Sequence, residues 1–109
     1  MKLKNKNLKE IWKVLNHNQK KVVLALYRKR QNDEYMREAY NGYMQIPHIV
    51  SYCNFQRNST AVGCIQGLRV AGVVEMRTEL GYDNISKKYY RLTDEFYEQL
   101  KEVVDKLVL

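Results

Sequence analysis

The stretch STAVGCIQGLRVAGVVEMR, residues 59–77, begins with the pattern of a helix and ends with that of a strand. Its first apolar residues recur at intervals of four and three, the period of one helix face. These residues are Ala61, Ile65 and Leu68. Gly72 then interrupts the pattern, and Val73 and Val74 begin a β-branched run that is typical of an extended chain. The stretch therefore predicts a short helix that turns abruptly into a strand at a glycine.

The composition is that of a folded chain with an excess of positive charge. The 109 residues are 45% hydrophobic and 28% charged, with a formal net charge of +7. This length suits one domain with a modest core, and the composition argues against disorder. Residues 1–30 hold ten Lys or Arg against the single acid Glu10. The charge favours a polyanionic partner, although a basic surface also serves solubility.

The sequence carries no signal for a membrane or for secretion. The longest apolar run, residues 22–27, is too short to cross a bilayer. The N-terminal residues lack the apolar segment of a secretory signal. We therefore expect a cytoplasmic protein without membrane association, in the host cytoplasm if the source is viral, with Cys53 and Cys64 as thiols.

The chain before residue 59 predicts three helices and one short strand. Apolar residues recur with helical spacing over about 8–15, and Asn18 is suited to cap a second helix that runs to about residue 30. Asp33 is a candidate cap for a short helical turn that ends at Asn41-Gly42. Residues 43–46 alternate like a short strand, and a third helix follows from Pro47.

The chain after residue 72 predicts a hairpin and a final helix. Residues 73–78 and 87–92 are rich in β-branched and aromatic residues, and the loop between them contains Gly81 and Asp83-Asn84. Thr93 is suited to cap the last helix. Two short helices joined by a tight turn, with a hairpin directly after the second, define an α+β winged helix-turn-helix.

We expect one winged-helix domain over residues 1–109, with an extra helix at each end. Residues 1–17 form the N-terminal helix, residues 18–92 the winged-helix core, and residues 93–109 the C-terminal helix. Within the core, the recognition helix covers about residues 59–71 and the wing about residues 73–92, with Asn58 or Ser59 as the cap of the recognition helix.

Two motifs resemble winged-helix regulators of the MarR, ArsR and PadR kind. STAVGCIQGLRVAGVV, residues 59–74, is similar to their recognition helix and first wing strand, with Leu68, Gly72 and two aliphatic residues in the family's Leu-x-x-x-Gly pattern. YYRLTDEF, residues 89–96, resembles their second wing strand and Tyr-x-Leu-Thr helix start. The resemblance covers about residues 18–109 and implies a dimeric transcriptional regulator that binds specific double-stranded DNA. Short Tyr- and Asn-rich proteins of archaeal viruses and plasmids are also similar.

The recognition helix and the wing supply the predicted DNA contacts. On the outward face of the helix, Gln66 is suited to read adenine and Val62 to meet a thymine methyl group. Gly63 and Gly67 each cost about 1 kcal/mol relative to alanine, which suggests that DNA or another protein comes close to the backbone there; the alternative is a weakly formed helix with no special surface. Lysines and arginines are suited to contact phosphates. The predicted set is Arg57, Asn58, Ser59, Thr60, Val62, Gly63, Gln66, Arg69, Arg77, Lys87 and Lys88.

Apolar stripes on the two terminal helices predict a homodimer. In winged-helix regulators such helices commonly form a two-fold interface, which places two recognition helices about one DNA turn apart. The alternative is that the stripes pack against their own domain. The predicted interface residues are Leu8, Ile11, Trp12, Leu15, Phe96, Leu100, Val103, Val104 and Leu107.

Other chemistry is sparse in this sequence. The cysteines and histidines lack zinc-site spacing, and no nucleophile–base pair or phosphate-binding glycine loop is present. We therefore expect no enzyme activity, cofactor or metal. Two alternatives to DNA binding remain open: a winged helix that docks a partner protein on its Gly63/Gly67 face, and a redox sensor that uses Cys53 and Cys64.

Overall fold

A computed structural model describes residues 8–106 as an α+β globule. In this part of the chain, five helices are combined with one two-stranded antiparallel hairpin that follows the fourth helix, an arrangement consistent with a winged helix. The elements are α1 (Leu8–Val14), α2 (His17–Met36), α3 (Ile46–Cys53), α4 (Asn58–Val70), β1 (Val74–Leu80), β2 (Ser86–Leu92) and α5 (Asp94–Val103). A 3₁₀ turn, Val104–Lys106, follows α5.

Helix α2 is longer than the sequence pattern indicates. It is capped by Asn16 rather than by Asn18, because the Asn16 side chain accepts a hydrogen bond from Gln19 N and the Gln19 side chain accepts one from Asn16 N. The predicted cap Asp33 lies inside the last turns of α2, so no new helix begins there. The helix ends at Met36, and the capping residue Arg37 adopts a left-handed conformation with φ 54°.

The predicted strand over residues 43–46 is reduced to a single bridge. Met44 N donates to Tyr90 O and Tyr90 N donates to Met44 O, both over 2.8 Å. The strand is not longer because α3 already begins at Ile46. Gly42 precedes the bridge with φ 86°, and a Cβ at this position would lie 2.7 Å from Arg30 Cβ. The chain therefore needs a glycine to pass this close to α2.

The predicted helix-to-strand turn is confirmed. Gly72 has φ 79°, which favours glycine, and the turn is closed by the bond from Val73 N to Leu68 O over 2.9 Å. The start of α4 differs from the prediction, since the helix begins at Asn58 and Arg57 takes the capping position without a side-chain hydrogen bond. Strand β1 then begins at Val74.

The hairpin packs against the rest of the protein at its base and extends into solvent at its tip. In the register, Val74 pairs with Leu92 and Thr78 pairs with Lys88. Val74, Tyr90 and Leu92 are buried, whereas both strands are exposed towards the loop that joins them. Because side chains alternate along a strand, neighbouring residues of the hairpin face opposite sides.

The two terminal helices are part of the core of this chain. Phe96, Tyr97 and Leu100 of α5 have no exposed surface, and Leu8 N of α1 donates to the Gln99 side chain over 2.9 Å. The apolar residues predicted for the N-terminal helix are buried as well: Leu8, Ile11 and Trp12 of α1, and Leu15 directly after it.

The predicted dimer interface is therefore wrong for most of its residues. The apolar stripes are covered within one chain, because α1 and α5 pack on their own domain and leave Phe96 and Leu100 no surface for a partner. Val103 and Val104 are half-buried against the same core, and Leu107 lies outside the described residues. The homodimer itself stays a prediction.

None of the helices within residues 8–106 has both the length and the apolar composition that crossing a membrane requires. In the same range, no group of three or more His, Cys, Asp or Glu side chains is arranged to hold a metal ion.

Candidate nucleic-acid interface

Helix α4 has one buried face and one exposed face, as the sequence pattern predicts. The buried face consists of Ala61, Cys64, Ile65 and Leu68. Thr60 is half-buried, so it contributes less surface than the prediction assigned to it. Val62 is 39% and Val70 is 88% exposed, so the outer face of α4 also carries aliphatic surface. The other exposed residues are Asn58, Ser59, Gly63, Gln66 and Arg69.

The two glycines of α4 have different surroundings. A Cβ at Gly67 would lie 2.6 Å from Gln19 Nε2, so the residue faces the start of α2 and not open solvent. A Cβ at Gly63 would meet nothing within 4 Å. The prediction that both glycines share one outward face is therefore wrong for Gly67, where the close neighbour belongs to the same chain.

An open groove of about 490 Å³ lies between α4, the start of α3 and β2. Its walls carry amide, hydroxyl and cationic groups together with aliphatic ones. The lining residues are Gln45, Ile46, Pro47, Val62, Ile65, Gln66, Arg69, Ser86, Lys87, Lys88 and Tyr90. Five of these were predicted DNA contacts, and the structure brings them together from two separate segments of the chain. Gln45 and Ser86 were missed, because their place beside α4 depends on tertiary packing.

The cations near this groove lack carboxylate partners. Among residues 8–106, salt bridges involve Lys29, Arg30, Arg77, Arg91 and Lys101, and the other described lysines and arginines form none. Arg57, Arg69, Lys87 and Lys88 form no salt bridge with any described carboxylate. Positive charge is therefore left uncompensated at both ends of α4 and on the adjoining strand.

The two predicted wing lysines lie on opposite sides of the hairpin. Lys88 pairs with Thr78 and shares a side with Tyr90 and Met76, the side that turns towards the core at the hairpin base. Lys87 lies on the other side, opposite Glu79 in the register, but Glu79 forms its salt bridge with Arg77. The two lysines therefore reach the groove from opposite sides of the hairpin. This difference was predictable from the sequence, because adjacent residues of a strand face opposite sides.

Arg77 was predicted to contact phosphate, but the structure gives it a contact within the chain. Its guanidinium lies 4.5 Å from the ring centre of Tyr43 and forms a 2.7 Å salt bridge with Glu79. Arg91 stacks on the same ring at 4.7 Å and pairs with Glu75 at 2.8 Å. Tyr43 therefore contacts two arginines of the hairpin and holds it against the loop before α3. Sequence reasoning missed this role of Tyr43 because the two arginines are distant in the chain.

Cys53 and Cys64 are buried free thiols. Burial raises the pKa of the Cys53 thiol to about 11, against a smaller opposing effect of Lys21. Burial also raises the pKa of Cys64. Redox-sensing cysteines are exposed and have a lowered pKa, because the thiolate is the reactive form. The surroundings of both thiols therefore argue against the redox alternative.

No protein-family model, no curated protein and no solved structure matches this chain. The role of the surface is therefore inferred from its own geometry: an exposed polar face of α4, a groove beside it, and four cations without carboxylate partners.

Proposed function

We propose that this protein is a winged helix-turn-helix regulator of transcription that binds double-stranded DNA. In this proposal α3 and α4 are the helix-turn-helix, α4 is the recognition helix, and β1 and β2 form the wing. The observation that carries the proposal is the set of cations without carboxylate partners, Arg57, Arg69, Lys87 and Lys88, around the exposed face of α4 and its groove. A polyanion is the partner that such a set suits.

The dimensions of α4 support this role. Its 13 residues span about 20 Å, and the major groove, about 12 Å wide, admits a single α-helix. The exposed side chains of α4 would face base edges, while the hairpin would lie along the phosphate backbone. Arg57 would add a cation at the N-terminal end of α4, where the helix dipole also favours a phosphate.

A salt titration tests the proposal. The wild-type protein should bind a random-sequence duplex with an affinity that falls steeply as salt rises, because each neutralised phosphate releases counterions. Replacing Arg69 and Lys88 by alanine should flatten the plot of log affinity against log salt by about one unit per lost contact. Fluorescence anisotropy of a labelled duplex measures both slopes.

Lys106→Ala is the matched control. Lys106 is exposed beyond α5 and does not line the groove. Its replacement removes one positive charge, as each of the other two substitutions does, but it should leave the slope of log affinity against log salt unchanged. Equal slopes for all three proteins would contradict the proposed interface, and an affinity for DNA that does not depend on salt would favour the protein-docking alternative.

A further inference from the structure

Within residues 8–106, no neighbouring group requires residue 63 to be glycine. It lies in the interior of α4, where glycine is less favourable than alanine, and a Cβ there would meet nothing within 4 Å. Gly67 differs, because the Gln19 side chain occupies the space a Cβ would need. The open space at Gly63 leaves the α4 backbone accessible to a partner from outside the chain.

The residues beside Gly63 indicate the chemistry of that interaction. Val62 is an exposed aliphatic residue, and Gln66, one turn further along, presents an amide that both donates and accepts. The cations of α4 lie at its ends, at Arg57 and Arg69. Guanine is read chiefly by arginine or lysine, adenine by glutamine or asparagine, and thymine by apolar contact with its methyl group. The central face of α4 thus offers the groups suited to A·T pairs.

We propose that Val62, Gly63 and Gln66 form a reading patch for A·T base pairs in the major groove. Gly63 lets the α4 backbone come close enough for Val62 to contact a thymine methyl group while Gln66 hydrogen-bonds adenine. The flanking cations without salt bridges favour DNA over a partner protein as the occupant. This inference rests on the proposed function and adds the class of sequence that is bound.

Replacing each glycine by alanine distinguishes an effect on DNA affinity from an effect on the stability of the fold. Gly63→Ala should raise the Tm by about 4–8 °C, since alanine favours the helix, yet weaken binding to a duplex of alternating A·T pairs. The expected loss is about 5- to 150-fold, the range of one base contact. Gly67→Ala is the control: its methyl group would displace the Gln19 side chain at the start of α2, so the Tm should not rise as in Gly63→Ala, and DNA affinity should not change.

A second experiment removes the methyl group from the DNA. When uracil replaces thymine in the A·T duplex, wild-type affinity should fall about fourfold for each contacted methyl group. Val62→Ala should bind the thymine duplex more weakly and show no difference between thymine and uracil. A duplex of alternating G·C pairs and equal length should bind more weakly than the A·T duplex.

The outcomes distinguish the two proposals. Salt-dependent binding that is equal for A·T, uracil-containing and G·C duplexes, and unchanged in Gly63→Ala, would overturn the reading patch and leave the DNA-binding proposal intact. Failure of the wild-type protein to bind any of these duplexes would overturn both. A preference for A·T pairs that disappears in Gly63→Ala and Val62→Ala would support the inference.

Discussion

Asp33 is 1% exposed, and each of its carboxylate oxygens has a partner. Oδ1 accepts a hydrogen bond from Lys29 Nζ over 2.9 Å, and Oδ2 accepts one from the backbone N–H of Gly42 over 2.8 Å. The second bond is buried and holds the loop after α2 as it turns back towards the Met44–Tyr90 bridge. A single carboxylate thus fixes the path of the chain into the bridge.

Asp33→Ala should lower the free energy of unfolding by about 1–3 kcal/mol, because the buried N–H of Gly42 loses its acceptor. Asp33→Asn should lose less, since its amide oxygen still accepts that hydrogen bond while the ion pair with Lys29 is lost. Urea unfolding followed by circular dichroism measures both changes. Equal stability of Asp33→Ala and the wild type would show that the hydrogen bond contributes nothing.

Helix α5 shows why an amphipathic stripe alone does not identify its partner. Phe96, Leu100 and Val103 recur with helical spacing whether the helix packs on its own domain or on a second copy. In the structure α5 contacts both α1 and α2: Leu8 N donates to Gln99, and the Tyr97 hydroxyl donates to Glu34. Burial and the hydrogen bond to Glu34 raise the pKa of Tyr97. The stripe is therefore part of the core.

Leu100→Glu should prevent stable folding and not produce a folded monomer, because it places a carboxylate where no surface is exposed. Val104→Glu should have a milder effect, since Val104 is only half-buried in the 3₁₀ turn after α5. Thermal unfolding and sedimentation of both variants check this expectation. A folded, monomeric Leu100→Glu beside a dimeric wild type would restore the predicted dimer interface.

The elements that were predictable from sequence are those determined by neighbouring residues. The buried face of α4, the Gly72 turn and the hairpin each depend on local pattern. The different roles of Gly63 and Gly67 were not predictable, because the distinction depends on Gln19 at the start of α2. The position of Asp33 also depends on a distant loop. Of the candidate site, sequence predicted the exposed face of α4 but not its groove.

On the scale of the whole molecule, opposite charges meet away from the α4 surface. Asp94, at the start of α5, forms salt bridges with Arg30 of α2 and Arg91 of β2. The hydrogen bond from Arg30, with a smaller contribution from Arg91, holds the pKa of Asp94 below its ordinary value, against the opposing effect of burial. Three elements are thus joined by one carboxylate, and the groove beside α4 keeps its positive charge.

Stability should fall at acidic pH partly through Asp94. Because its pKa is lowered in the folded state, its contribution is present above the unfolded-state value, about 3.9, and is lost as the pH falls through the folded-state value. Asp94→Asn should lose less stability than the wild type over this range. Glu95→Gln is the control, since the neighbouring Glu95 forms no salt bridge within the described chain. Urea unfolding at a series of pH values measures these changes. If stability depended on pH in Asp94→Asn as it does in the wild type, this expectation would be contradicted.

The Met44–Tyr90 bridge brings together the two ends of a segment that contains α3, α4, the wing loop and every proposed DNA contact. The entropy of closing such a segment grows slowly with its length, by about 0.6 kcal/mol per doubling. Insertions in the turn at residues 54–57 or at the wing tip should therefore cost little stability. The segment closed by the bridge can therefore vary in loop length while the rest of the protein stays folded.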